Sequence, residues 1–372
     1  MATDLEINVI NSPIKNHVFS IEWLDKDENV IEEVILDVID GNANFDSTQN
    51  NRRSVNLTLK NNNKSYLPTP DSKMWINKKF RLKSGYEYDN GEKLSYNQGT
   101  YLLGNPSILS KPTAKEVSIQ GLDKWVTLDG TVQGKLKNNY IIGIGLRIDL
   151  VIKSLLEEAG ETRYIIDACD TLTPYTITKE IGNTIADLLI ELSDIVTYNC
   201  FYDNNGIFRF RKALTPGDYE STFVSWEYTT TGLYLESTRD LKWNEIKNSI
   251  KVIGMLKKDG VQIKAVSQDT NIDSELSIDK IGERFELIPD DNIPTNELAQ
   301  YRSDYELLQK IKFAEEVKTT IIPNFSHVVD DVVSVIDENN GCDGNYVIQN
   351  ISYNFGYDTT MQLGLWKTRK LN

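Results

Sequence analysis

The sequence predicts an α+β chain that is mainly β, with β-structure at both ends, an α+β unit in the middle and a helical insertion near the C-terminal strands. Three observations lead there. Short alternating apolar runs, punctuated by Gly, Asn, Asp and Pro, fill the first third and the last third of the chain. Between about residues 140 and 196 the apolar period lengthens to that of helices. One pattern also occurs twice, in GTYLLGNPSI (Gly99 to Ile108) and GNYVIQNISY (Gly344 to Tyr353); both read Gly-x-Tyr, two aliphatics, one residue, Asn, one residue, Ser.

The first 135 residues read as strands. HVFSIEWL (17–24) alternates, RSVNLTLK (53–60) sets Val55, Leu57 and Leu59 on one face, and KKFRLKSGYEY (78–88) runs to a turn at YDNGE (88–92). GTYLLGNPSI and KEVSIQGLDKW (115–125) follow, with Pro106 and Pro112 marking the connection. Many short half-buried strands joined by turns indicate a sandwich or barrel.

Residues 136–236 read as a compact α+β unit. In GLRIDLVIKSLLEEAG, Leu146, Leu150, Ile152, Leu155 and Leu156 suit an amphipathic helix stopped by Gly160. NTIADLLIELSDI places Ile185, Leu188, Leu189 and Leu192 at i, i+3, i+4 and i+7, with Asn183 or Thr184 as cap. TYNCFYDNNGIFRFRK (197–212) alternates on both sides of an Asn/Gly turn, a hairpin in which Phe201, Ile207, Phe208 and Phe210 supply bulk.

Residues 237–372 return to strands: NSIKVIGML (248–256), GVQIKAVSQ (260–268), EVKTTIIP, DDVVSVID, GNYVIQNISYNF and MQLGLWK. A helical insertion at about 270–315 interrupts them. It comprises SIDKIGERF (277–285) and a helix opened by Pro294 and Thr295, whose Leu298, Tyr301, Tyr305, Leu308 and Ile311 share a face. The flanks of the repeated pattern agree as well. Each copy is preceded by a strand and a turn-rich loop and followed by a turn and a closing strand, an order that fits common architecture but also fits any hairpin followed by a strand.

At 372 residues the chain has room for two to four domains, and 40% apolar with 26% charged residues is the balance of a globular protein with real cores. No apolar run of eighteen residues and no basic, apolar leader occurs, so neither membrane anchoring nor a secretory signal is expected. Cys169, Cys200 and Cys342 are odd in number and lack CxxC spacing, which predicts reduced, buried thiols. The net charge of −15 opposes phosphate gripping, and the basic runs KNNNK (60–64) and KTRK (367–370) are short.

Candidate chemistry is sparse, and the expectation is no catalytic, cofactor or metal site. His17 and His327 sit beside strands, the setting of structural histidines, and nothing local supports pairing His327 with Cys200 or Cys342. DNNG (203–206) and DENNG (337–341) resemble the middle of a calcium loop. Aligning Gly206 puts Phe201 and Lys212 at the outer ligand positions, and aligning Gly341 puts Ile336 first, so turn chemistry explains them better. GIGLRIDL (143–150) lacks the phosphate-loop spacing. Glu157 with Glu158, and Asp290 with Asp291, are adjacent carboxylates in solvated positions. Trp226, Tyr228 and Tyr234 invite a sugar-binding reading, although packing accounts for such aromatics more often.

The order of parts resembles that of phage tail baseplate hub proteins, the family of the T4-like hub, the Mu-like hub and the N-terminal region of siphophage tail-tip proteins. The resemblance covers essentially the whole chain. It rests on RRSVNLTLK and GTYLLGNPSI...VSIQGLDKW, on ITKEIGNTIADLLIELSDIVTYNCFYDNNGIFRFRK, and on AVSQDTNIDSELSIDKIGERFELIPDDNI followed by DDVVSVI and DGNYVIQNISY. It implies two similar β-barrel-like tube domains, 1–135 and 237–372, around the middle domain 136–236. It further implies a homotrimeric, pseudo-hexameric ring in the virion tail tip, made in the host cytoplasm. Such a ring joins a hexameric tail tube or distal tail protein to a threefold spike, fibre or needle, with the tape-measure protein as a further partner, and passes DNA without specific binding. No enzymatic activity or cofactor is implied. A receptor- or glycan-binding tail module is the alternative, and a cell-wall hydrolase the weakest reading.

Overall fold

The computed structural model describes residues 4–12, 16–35, 38–88, 91–257, 259–312, 315–356 and 359–367. Asp89 and Asn90 of the YDNGE turn and residues 368–370 of KTRK lie outside them. After helix α1 (Asp4–Asn11), the N-terminal part is β1 (Asn16–Leu24), β2 (Val30–Ile35), β3 (Val38–Asp46), β4 (Arg53–Lys60), β5 (Lys79–Glu87), β6 (Lys93–Leu103), β7 (Ser107–Lys111) and β8 (Ala114–Asp123). Period-two alternation is clear in β4, where Val55, Leu57 and Leu59 are buried and Asn56 and Lys60 exposed. Pro106 separates β6 from β7, which continues along β8 after the break.

The middle region contains β9 (Tyr140–Ile142), α2 (Ile148–Glu158), β10 (Tyr164–Ile166), β11 (Ile177–Lys179), α3 (Ile185–Val196), the hairpin β12 (Tyr198–Tyr202) and β13 (Phe208–Lys212), and α4 (Pro216–Glu220). Thr184 is the cap of α3, in a capping box with Asp187. Gly160 adopts a positive φ of 78° just past α2. The buried stripe of α2 differs from expectation. Because the helix begins at Ile148, its i, i+4, i+7, i+8 stripe is Ile148, Ile152, Leu155 and Leu156, leaving Leu150 exposed and Leu146 exposed ahead of the helix. These residues, the inner face of α3 and the hairpin aromatics Phe208 and Phe210 form one core.

The chain then runs through β14 (Val224–Thr229), β15 (Tyr234–Leu241), β16 (Ser249–Leu256), β17 (Gln262–Gln268), α5 (Ile278–Ile281), β18 (Phe285–Pro289), α6 (Asn296–Lys312), β19 (Glu315–Ile321), β20 (Val332–Asp337), β21 (Cys342–Asn354) and β22 (Met361–Lys367). Three features depart from the sequence reading. β14 and the start of β15, placed with the middle unit, pair with β20 and β19 instead. β16 and β17 leave the C-terminal strands and form their own sheet with β18 beneath α6, so the inserted unit spans 249–312. SIDKIGERF is one turn of helix followed by strand: Gly282, at φ 77°, stops α5 and Phe285 starts β18. α6 buries Ala299, Ser303, Leu307 and Ile311; of the expected face Leu298, Tyr301, Tyr305, Leu308 and Ile311, Ile311 alone is fully buried, so the face is rotated. Small residues let it approach the sheet, where the hydroxyls of Ser303 and Ser267 meet at 2.6 Å.

Among the described residues, fourteen strands from both ends of the chain make one sheet, with the path β15-β19-β22-β21-β3-β4-β8-β6-β5-β1-β2 and with β7, β14 and β20 as side pairings. Its inward side chains build a shared apolar core, from Phe19, Val55 and Phe80 in the first part to Val333, Ile351 and Leu363 in the last.

Candidate assembly site

The large sheet contains the same five-strand unit twice. Its N-terminal half has the order β3-β4-β8-β6-β5 and its C-terminal half the order β15-β19-β22-β21-β20. Register repeats along with order. Tyr101 of β6 stands opposite Phe80 of β5 on one side and Asp123 of β8 on the other; Tyr346 of β21 stands opposite Val333 of β20 and Lys367 of β22. The β3/β4 ladder is irregular between Val38 and Asp40, and the β15/β19 ladder between Tyr234 and Glu236. The first pairs after these bulges, Asp40 with Thr58 and Glu236 with Thr320, therefore correspond. Both tyrosines are fully buried, and the glycines two residues before them take positive φ, 147° at Gly99 and 131° at Gly344.

The two units are joined head to tail. The C-terminal half of β21 pairs antiparallel with β3, Asn350 opposite Asp46, Ser352 opposite Asn44 and Asn354 opposite Asn42. This seam makes one continuous outer face. Along it, side by side across five strands, stand Gln362, Ser352, Asn44 and Ser54 in one row and Asn354, Asn42, Asn56 and Gln120 in the next. Thr58 and Ser118 continue the pattern, their hydroxyls 3.1 Å apart, and the Asn56 amide donates to Asn42 Oδ1 at 3.1 Å. In a chain carrying 55 acidic and 40 basic residues, these rows are uncharged, with Asp40, Asp46, Glu236 and Lys318 at their margins.

Buried ion networks fix the middle region against both units. Lys124, 1% exposed, is held by Glu28 Oε1 at 2.6 Å and Glu161 Oε2 at 2.8 Å, and donates to the Gly206 carbonyl at 2.9 Å. Burial works to raise the Glu28 carboxyl, but Lys124 and Lys79 outweigh it and hold the group below its usual range. Arg53 donates to the Tyr202 carbonyl. On the other flank Asp330 accepts from Arg52 at 2.8 Å and Arg211 at 2.5 Å, with Phe201 beneath both guanidinium groups. The hairpin β12/β13 is thus clamped between residues of the N-terminal and C-terminal units. Sequence reasoning missed these partners because they lie up to 278 positions apart.

Residues weighed for chemistry do not converge. His327 is buried, its Nε2 2.5 Å from the Tyr228 hydroxyl and 3.4 Å from the Asn324 amide, and burial depresses its pKa to about 3. Cys200 lies in the middle core with its thiol pushed up to about 12 by burial, and Cys342 lies in the sheet core; neither is a partner of His327. His17 packs edge-on against Phe325. Asp203 of DNNG caps its own turn, accepting from the amides of Asn205 and Ile207, and binds Arg209; Asp337 and Asn340 of DENNG do the same at theirs. Glu157 accepts from the Tyr164 hydroxyl. Asp290 lines a cavity of about 310 Å³ with Glu191, Asp194 and Arg302, whereas Asp291 does not. Among the described residues no cluster of metal-ligating side chains occurs, and no helix is long and apolar enough to cross a membrane. The aromatic trio makes no surface platform: Tyr228 is fully buried, the Tyr234 hydroxyl donates to Asp337, and Trp226 packs against the sheet core.

No protein-family model matches the chain, and no curated protein matches it. Solved structures do. The 43 kDa tail protein of prophage MuSo2 from Shewanella oneidensis superposes with a TM-score of 0.66 at 15% identity, covering 94% of this chain and 98% of that one. A tail protein from Neisseria meningitidis MC58 gives 0.67 at 12% identity, covering 95% and 97%. The fold is that of these phage tail proteins. A type VI secretion component of E. coli, described as structurally similar to the T4 bacteriophage tail proteins gp27 and gp5, extends the likeness at a TM-score of 0.50, 8% identity and 89% and 73% coverage. The phage tail protein fold therefore spans nearly the whole chain, as the resemblance in sequence implied.

Proposed function

We propose that the chain is a structural hub of a phage tail or tail-like particle, three copies of which form a ring of pseudo-sixfold symmetry. The observation that carries this reading is the duplicated five-strand unit, with its order, register and bulge repeated and its copies joined head to tail. A head-to-tail contact propagates with one sense and closes when the rotation permits. Two equivalent units in each of three chains then offer six similar positions to a hexameric tail tube or distal tail protein. The same three chains offer threefold symmetry to a spike, fibre or needle.

The uncharged rows of the sheet are the wall we assign to the channel. Asn, Gln, Ser and Thr give a polyanion neither the counterion-release attraction of a basic surface nor the repulsion of an acidic one. DNA, or an extended tape-measure chain, passes such a wall without being held. The protein's role is mechanical, its location is the virion tail tip, and no bond-making chemistry is assigned to it.

The test is stoichiometry in purified tails. Three copies per tip, in a ring between tube and spike, are expected; a single copy, six copies or absence from the particle refutes the hub.

A further inference from the structure

The internal seam has open counterparts elsewhere on the molecule. β21 pairs with β22 past Tyr346 and then offers its other edge, Asn350–Asn354, to β3. In the N-terminal unit the continuation of β6 past Tyr101 is β7, which follows β8 as β21 follows β22: Ser107 opposite Ser118 matches Ser352 opposite Gln362. Among the described residues, β7 pairs with β8 and with no strand on its other edge. The counterpart of β3 is β15, which pairs with β19 and ends the sheet. One edge of each half of the seam is therefore presented without its complement.

The side chains at these edges agree. At the closed seam Phe45 and Tyr353 are buried, their rings in contact at 6.0 Å across the strand pair. Counting from the shared bulge, Phe45 corresponds to Leu241; counting from the shared tyrosine, Tyr353 corresponds to Ile108. Leu241 is 43% exposed and Ile108 44% exposed. Two apolar residues thus stand in solvent where their equivalents are in a core.

We propose that β7 of one copy pairs antiparallel with β15 of a second copy of this chain, repeating between subunits the seam that β21 and β3 form within one. The carried-over register sets Ser107 opposite Asp240 and Ile108 opposite Arg239 of the neighbouring copy, and brings Ile108 against Leu241. This inference rests on the ring reading and names the surface that closes the ring. An exposed strand edge bearing apolar side chains pairs when a complementary edge is presented, and a head-to-tail contact using two different edges continues from copy to copy.

The experiment is disulfide cross-linking of the full-length chain, carried out in purified tails and on the isolated protein, with the double variant Ser107→Cys/Asp240→Cys. The native thiols Cys169, Cys200 and Cys342 are buried and stay silent. Under mild oxidation the double variant should give covalently linked trimers on a non-reducing gel, and either single variant none. The variant Ser107→Cys/Thr238→Cys, two residues out of register, should give at least tenfold less. Ile108→Asp, a change at an exposed position, is examined in parallel and should abolish association while leaving the monomer's melting temperature unchanged. A double variant that is trimeric but does not cross-link, or trimers that survive Ile108→Asp, overturn the seam and leave the hub reading intact. If no trimer is found in tails, both fail.

Discussion

Phe45 and Tyr353 touch across the strand pair that joins the two sheet units, 308 positions apart in the chain. Tyr353 also shares a hydrogen bond with Ser84 at 2.9 Å, so this one side chain ties the seam to β5. Stability of the whole sheet therefore runs through the seam. Phe45→Ala should lower the unfolding free energy by about 3–5 kcal/mol, as for other buried phenylalanines. Tyr353→Phe, which keeps the ring and removes the hydroxyl, should cost about 1 kcal/mol. Urea unfolding followed by tryptophan fluorescence separates the two.

The repeated glycines should be unequal. Gly99 and Gly344 share a positive φ, so alanine is strained at either position by roughly 1–2 kcal/mol. At Gly99 an added Cβ would also stand 2.7 Å from the Tyr101 hydroxyl oxygen and 2.9 Å from Arg53 Cδ, whereas at Gly344 the nearest atom is Lys367 Cε at 3.7 Å. Gly99→Ala is expected to depress the melting temperature by more than Gly344→Ala, and calorimetry of the two single variants decides it.

Lys124 neutralises carboxylates brought together from the β1/β2 turn and the middle region. Lys124→Met should destabilise the protein by about 3–5 kcal/mol, because it removes the cation buried between Glu28 and Glu161, and among the described residues only Glu28 keeps other cations, Lys79 and Arg163. Chemical unfolding of wild type and variant at neutral pH measures the difference.

His327 should make stability fall as pH falls. Its pKa is about 3 in the fold against 6.5 as an ordinary side chain, so the unfolded chain binds the extra proton between those values. The stability contribution is complete above pH 6.5 and is lost toward pH 3, with a slope of up to about 1.4 kcal/mol per pH unit. Asp123 and Asp331, raised by burial to about 6, act in the opposite direction, losing stability as pH rises through 6. Replacing the imidazole reads its share together with its influence on Asp331, whose Oδ2 lies 4.0 Å from His327 Nδ1. The difference in unfolding free energy between wild type and His327→Gln should narrow steadily from pH 6.5 to pH 4, and a constant difference refutes the assignment.

The sequence by itself determined the local elements and offered a pattern that occurs twice. Alternation in RSVNLTLK, the capped stripe of α3 and the turn chemistry of DNNG are local matters, decided by spacing within a dozen residues. The paired Gly-x-Tyr patterns were visible for the same reason, since a buried tyrosine after a positive-φ glycine is a local requirement met twice. What the sequence left undecided was partnership. Leu150 looked like core until the helix start fixed its phase, and NSIKVIGML alternates equally well in the large sheet or in the small one under α6. Nothing near Arg52 points to Asp330, and nothing near Ser352 points to Asn44. Such contacts are selected by which surfaces bury together, a property of the whole chain's packing. Only the tertiary structure decided that the two repeats meet edge to edge, because the seam is made of backbone hydrogen bonds that any extended sequence can offer.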